Sequence, residues 1–228
     1  MLTVSNIQKS FNYKTILNNI SFSLSNGDTV ALLGKNGVGK STLLRIIAKI
    51  NAPDKGEVYF QNNNILKGKS SNRQGIYYCG HAPGLYPSLT AEENMHYFSL
   101  FHQTNPSSSL IKKTLMDYEL ISAIHKPVKF FSQGMIQRLK LAFIEIINWK
   151  LLLIDEPFTG LDLSGNAFVQ KKFSAWHDDE RIIMVVDHNL DRALGNTSRV
   201  LLIDGGKMVI DEASNTNGLM DKISRLMH

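Results

Sequence analysis

Residues 29–48 read TVALLGKNGVGKSTLLRIIA: an unbroken apolar run, a loop holding three glycines, and a helix-forming segment in direct succession. Gly34, Gly37 and Gly39 permit backbone conformations that a β-carbon would forbid, so successive N–H groups can wrap phosphate oxygens. Lys40 has the reach to meet β- and γ-phosphates. Ser41 offers a hydroxyl to Mg²⁺, and Thr42 a further contact near the α-phosphate. The full G-x-x-x-x-G-K-S spacing stands in the strand–loop–helix context it requires, which implies a site for a nucleoside triphosphate.

Two further apolar runs point to the same edge of a sheet. Residues 150–162, KLLLIDEPFTGLD, place Asp155 at the end of a buried strand, where a carboxylate can hold Mg²⁺ through water. Glu156 follows and can polarise an attacking water as a general base. An isolated Asp-Glu pair is as readily a solvated or capping pair, but four apolar residues before it and a proline after it fit that reading poorly. Residues 182–189, IIMVVDHN, bring His188 out at the edge where parallel α/β sheets bind ligands. There it can donate to a γ-phosphate.

Around these runs, strand-like segments recur at 2–8, 19–25, 56–60, 75–79, 199–203 and 207–211, with DGGK at 204–207 as a hairpin turn. Helical spacing follows Gly39 and recurs at 91–101, 107–124, 133–148, 164–176 and 189–194. The terminal NTNGLMDKISRLMH reads as a short helical tail. Residues 82–148 contain helices and polar connections such as HQTNPSSS but no convincing strand. The expected fold class is therefore α/β: a mostly parallel sheet with an antiparallel edge, and an inserted helical subdomain. Residues 1–81 and 149–228 would form the core and 82–148 the helical insertion.

Composition excludes several other classes. A hydrophobic fraction of 43% and a charged fraction of 20% are those of an ordinary globular protein. No apolar stretch approaches the roughly 20 residues of a membrane helix, and the start lacks the form of a secretory signal. The single cysteine, Cys79, leaves no internal disulfide or Cys-rich metal site and suits a reducing cytoplasm. The net charge of +5 contains no dense Lys/Arg block, so it reads as a solvated surface, and no nucleic-acid partner is expected.

One stretch raises a question of its own. In KPVKFFSQGMIQRLKLAFIEI, residues 126–146, Ser132 is placed to cap a helix whose apolar positions are Ile136, Leu139, Phe143 and Ile146. That helix start also favours anions, so the chain has two such ends.

Taken in order, these residues resemble the ATP-binding cassette (ABC) ATPases over essentially the whole chain. GKNGVGKST looks like Walker A, LLLIDE like Walker B, TGLD like the D-loop, VDH like the switch-histidine segment, and FSQGM with Gln137 and Arg138 like the signature. The resemblance implies a P-loop fold, ATP and Mg²⁺ as ligands, and head-to-tail pairing of two copies over two ATP molecules. Gly34, Asn36, Gly37, Gly39, Lys40, Ser41 and Thr42 would hold the nucleotide, with Phe11 stacked on adenine. Ser132 and Gly134 would meet the γ-phosphate held by the other copy, which answers the question of the second helix start, and Asp162 would communicate across the interface. Lys40, Glu156 and His188 would carry catalysis, and Ser41, Asp155 and, more weakly, His81 the metal. The resemblance further implies a transmembrane permease on separate chains and a peripheral place on the cytoplasmic membrane face. A soluble relative acting on nucleic acid or ribosomes is the alternative, but such relatives usually carry paired cassettes or long insertions.

The departures are informative. Gln133 replaces a signature glycine and Met135 a glutamine; backbone donation survives both. His81 stands in the place of the family's glutamine, which contacts Mg²⁺ or the attacking water and relays to the transporter. With PGLYPSLTAEENMHYFSLFH after it, His81 makes the chain similar to the ATP-binding subunits of haem-exporter complexes in cytochrome c maturation. Haem binding by the chain itself is not expected; His96, His102, His125 and His177 are scattered.

Overall fold

Three apolar runs become three adjacent parallel strands: β3 (Thr29–Leu33), β7 (Leu151–Asp155) and β8 (Ile182–Val186), with every residue buried. The structure is a computed structural model and describes residues 1–68, 73–82 and 84–227. Pro83, quoted above after His81, lies outside the described residues. β3 pairs with β8, and β8 with β7, in parallel register from Thr29↔Ile183 and Leu151↔Ile182.

Parallel strands β6 (Ile76–Cys79) and β9 (Arg199–Asp204) flank this trio, and antiparallel β10 (Lys207–Ala213) ends the sheet in the order β10-β9-β3-β8-β7-β6. Alternation explains why the central runs are apolar throughout. Val30 and Leu32 enter one core with Leu201 and Ile203, while Ala31 and Leu33 enter a second with Val200 and Leu202. A strand covered on both faces has no polar side to keep. Gly205 and Gly206, at φ 52° and 77°, make the two-residue turn between β9 and β10.

The antiparallel strands are more than an edge. β1 (Leu2–Phe11), β2 (Lys14–Leu24), β4 (Lys55–Phe60) and the short β5 (Asn63–Asn64) form a separate sheet, ordered β2-β1-β4-β5. β1 and β2 run longer than their alternation suggests because Asn12 and Tyr13, at φ 47° and 65°, close a tight hairpin without any glycine.

Two compact units emerge: Met1–Gly80 with Lys150–Glu156 and Gln170–His228, and His81–Trp149 with Pro157–Val169. The last segment corrects the expected boundary, which left it with the core. Its Phe168 ring meets Tyr118 edge-on at 5.1 Å and lies 5.6 Å below the Arg138 guanidinium, and Gln137 Nε2 donates to the Pro157 carbonyl at 2.8 Å. The second unit holds α2 (Ala91–Phe101), α3 (Ser108–Asp117) and α4 (Gln133–Ala142). The expected helix over 107–124 stops early. Tyr118 is fully buried with its hydroxyl on Glu145 at 2.8 Å, and Glu119 turns left-handed at φ 57°. Likewise α4 gives way to a 3₁₀ turn at Phe143–Ile146, where the Trp149 indole donates to the Ile144 carbonyl. Thr90 and Pro127 make one isolated antiparallel bridge in the stretch expected to lack strands.

Candidate functional site

The glycine loop joins β3 to helix α1 (Lys40–Ile47), which starts from Gly39 at φ 111° with no side-chain cap. At two positions glycine is demanded by contact as well as by backbone. A β-carbon on Gly34 would fall 2.4 Å from the Ile203 carbonyl oxygen, and one on Gly39 2.7 Å from the Leu17 side chain. The loop is thus pressed between β9 on one side and β2 on the other, leaving the uncapped helix start open to an anion.

Lys40 is 5% exposed and its ammonium donates to the carbonyls of Gly34 and Lys35 at 2.7 and 3.0 Å. Burial holds its pKa below the ordinary 10.5, while Glu156 and then Asp155 pull the other way. Ser41, on the first turn of α1, donates through Oγ to Asp155 Oδ1 at 3.1 Å. Adjacent corners of an octahedron with ~2.1 Å bonds lie about 3 Å apart, so the two oxygens fit a small hard cation. Among the described residues, no group of three or more His, Cys, Asp or Glu forms a metal cluster.

Asp155 closes β7 and is 3% exposed. The next residue, Glu156, takes φ 54°, a left-handed conformation that costs on the order of 1 kcal/mol for a side chain with a β-carbon. The turn brings Glu156 Oε1 to 2.8 Å from Nε2 of His188, the second residue after β8.

Several supporting residues have no role in the motif reading. Asp187 is 4% exposed; its Oδ1 accepts from the His188 and Asn189 backbone N–H groups at 2.7 and 3.0 Å. The Arg192 guanidinium grips both oxygens of the same carboxylate at 2.6 Å. Asn189 caps helix α6 (Leu190–Asn196) through the Arg192 N–H. An Asp-x-Asn start with arginine one turn on is a legible capping signal. The Tyr78 hydroxyl donates to Asp155 Oδ2 at 3.2 Å and accepts from Arg45 Nε at 3.3 Å. Burial raises the pKa of Tyr78, keeping the phenol a donor. No local pattern announces that contact.

Gly34, Asn36, Gly37, Gly39, Lys40, Ser41, Thr42, Asp155, Glu156 and His188 all belong to the first unit, as does Phe11 at the end of β1. The Phe11 ring is 46% exposed, with Lys9 Nζ 5.1 Å from its centre.

The second unit carries His81, Ser132, Gly134 and Asp162. Ser132 caps α4, its Oγ accepting from the Met135 N–H at 3.2 Å. A β-carbon on Gly134 would meet only ordinary neighbours, the closest being the Gly160 carbonyl at 3.6 Å. Asp162 accepts from the Gly165 N–H and the Ser164 hydroxyl at 2.7 and 3.0 Å, contacts that hold its carboxyl below the usual range. His81 is exposed, and its carbonyl accepts from the ammonium of buried Lys140, which also reaches Gln137 Oε1.

The family described as ABC transporter matches residues 17–159. The cytochrome c biogenesis ATP-binding export protein CcmA 2 of Salmonella paratyphi A is 30% identical over 207 residues, spanning 91% of this chain and 98% of that protein. The CcmA protein of Vibrio vulnificus is 30% identical over 188 residues, 82% of this chain and 92% of its own length. Among solved structures, an ATP-binding subunit of an ABC transporter superposes with a TM-score of 0.85 at 22% identity, covering 100% of this chain and 94% of that one. A dimeric post-hydrolysis state of the ATP-binding cassette MJ0796, bound to ADP and Pi, gives 0.86 at 23% identity, covering 95% and 100%.

Proposed function

We propose, from the premise that this chain belongs to the ABC transporter family of ATPases, that two copies pair head to tail around ATP and drive a membrane permease carried on other chains. The observation that supports this reading best is the sheet edge of the first unit. There a buried lysine, a serine–aspartate oxygen pair and a glutamate–histidine contact converge on one uncapped helix start.

In this reading Lys40 releases the Gly34 and Lys35 carbonyls and neutralises the β- and γ-phosphates as a charge-assisted donor. Ser41 and Asp155 hold Mg²⁺, which when bound offsets the charge on the phosphate oxygens. Glu156 orients a water for in-line attack on the γ-phosphorus and accepts its proton. A new P–O bond forms as the bond to the β-phosphate oxygen breaks, releasing ADP and phosphate. His188 exchanges its Glu156 partner for a γ-phosphate oxygen, held in place through the Asp187–Arg192 clamp. Phe11 supplies an exposed aromatic face for adenine.

Ser132 and Gly134 complete the site in the paired copy. Glycine within a helix costs up to about 1 kcal/mol relative to alanine, and among the described residues no close contact requires it at position 134. Close approach by an outside group is the remaining physical reason. His81, exposed and fixed through its backbone by Lys140, would serve as relay and weak metal contact in place of a glutamine.

Among the described residues, no helix is long and apolar enough to cross a membrane. The family likeness supports a translocation path in a partner, with this chain on the cytoplasmic face beside it. The CcmA relatives are named for cytochrome c biogenesis and export, and we infer the same process here. Deleting the gene should abolish maturation of c-type cytochromes. Re-expressing the wild-type chain should restore it, whereas the Glu156→Gln variant should not. Normal cytochrome maturation in the deletion strain would contradict the assignment, and co-purification with no multispan partner would contradict the transporter reading.

A further inference from the structure

Gly80 has no conformational reason to be a glycine, because its backbone does not enter the left-handed region. Its reason is space. A β-carbon there would fall 2.5 Å from Cε1, 2.8 Å from Cζ and 2.8 Å from the hydroxyl oxygen of Tyr78, and those are its three nearest atoms. The missing methyl is the seat of the phenol. From that seat the Tyr78 hydroxyl reaches Asp155 Oδ2 at 3.2 Å, while Asp155 Oδ1 receives Ser41 at 3.1 Å. Arg45 Nε, on α1, donates to the same phenol at 3.3 Å and directs its proton toward the carboxylate.

We propose that Tyr78, seated by Gly80 and oriented by Arg45, is a positioning residue that fixes which oxygen of Asp155 faces Ser41 and the metal. The inference rests on the Mg²⁺-ATP reading of the site. An aspartate's terminal torsion is broad and nearly two-fold, so the strand alone does not choose between the oxygens. A hydrogen bond to Oδ2 does, leaving Oδ1 on the cation side. A filler of the same space would need only a phenyl ring; the hydroxyl of this half-buried side chain instead has one donor and one acceptor partner. Partners of this kind behind a ligating carboxylate tune metal affinity without touching the metal.

The test is a Mg²⁺ titration of ATP binding, followed by calorimetry, with ATP affinity in EDTA as reference. Mn²⁺ resonance spectra of the ATP complex report the metal's surroundings independently. In Tyr78→Phe, metal-free ATP affinity should match wild type, while the Mg²⁺ concentration for half the affinity gain rises about tenfold and the Mn²⁺ spectrum broadens. Gly80→Ala keeps the hydroxyl but evicts it, and should shift the midpoint in the same direction. The double variant should be no worse than the more affected single one, the non-additivity of two changes to one contact. An unshifted midpoint in Tyr78→Phe overturns the proposal, and so does an equal loss of metal-free affinity, which would mark general damage. Absence of any Mg²⁺ dependence in the wild type would instead overturn the Mg²⁺-ATP reading beneath it.

Discussion

Glu156 Oε1 and His188 Nε2 stand 2.8 Å apart, joining the residues that leave the ends of two neighbouring parallel strands. The contact depends on a left-handed glutamate on one side and on a backbone pinned by Asp187 on the other. Both side chains leave backbones held in fixed conformations, so removing one should affect chemistry more than binding. His188→Ala should lower kcat for ATP roughly a hundredfold with little change in KM, read by steady-state phosphate release. A KM defect with normal kcat would place His188 in binding alone.

Lys40 makes ATP affinity depend on pH in a definite direction. Burial lowers its pKa in the free protein below the 10.5 of an ordinary lysine, whereas bound phosphates would raise it. Binding therefore takes up a proton at alkaline pH, and affinity falls as pH rises through the free protein's lowered value. Stability of the free protein moves the other way. The unfolded chain holds more protons across the window between the lowered pKa and 10.5, so stability contributed by this group rises with pH there. Calorimetry of ATP binding in buffers of different ionisation enthalpy should show the uptake. Lys40→Ala should abolish that linkage and weaken ATP by at least ~2 kcal/mol.

Gly134→Ala separates a monomer's needs from a pair's. The methyl has room within the chain, its nearest neighbour 3.6 Å away, and alanine favours the helix by up to about 1 kcal/mol. The variant should melt at an equal or higher temperature than wild type, yet lose ATP-dependent pairing and ATPase activity. A stable variant with unchanged ATPase would remove Gly134 from the proposed interface.

Phe11 and Tyr13 offer a matched comparison on one hairpin. Both are exposed aromatics, and Tyr13 is fully so. Phe11→Ala should weaken ATP by ~1–3 kcal/mol, the worth of one base stacked on an aromatic, while Tyr13→Ala leaves it unchanged. Equal effects would mean the hairpin acts through its fold rather than through a stacking face.

The central sheet was legible in the sequence because strands buried on both faces are almost wholly apolar, and runs as short as LLLI and IIMVV between turn signals suit strands better than helices. The candidate site residues were read from where those runs stop. What stayed hidden was non-local. The hairpin at Asn12 and Tyr13 lacks a glycine, the early end of α3 depends on burying Tyr118 against Glu145, and Phe168 joins the helical unit through contacts with residues 30 and 50 positions away. The second layer of the site, Tyr78 and Arg45 behind Asp155, is assembled from three elements and leaves no pattern in any one of them. Asp187 was within reach, since its carboxylate and the Asn189 cap occupy standard positions ahead of Arg192.

The claim on which the rest depends is that each ATP is completed by a second copy, and the most direct measurement is the structure of Glu156→Gln with saturating Mg²⁺-ATP, preceded by its mass in solution. The account predicts a stable dimer with two ATP molecules, each γ-phosphate within hydrogen-bond distance of Lys40 from one copy and of Ser132 and Gly134 from the other. A variant that binds ATP but stays monomeric, or a dimer in which the Ser132 helix start contacts no nucleotide, would contradict it.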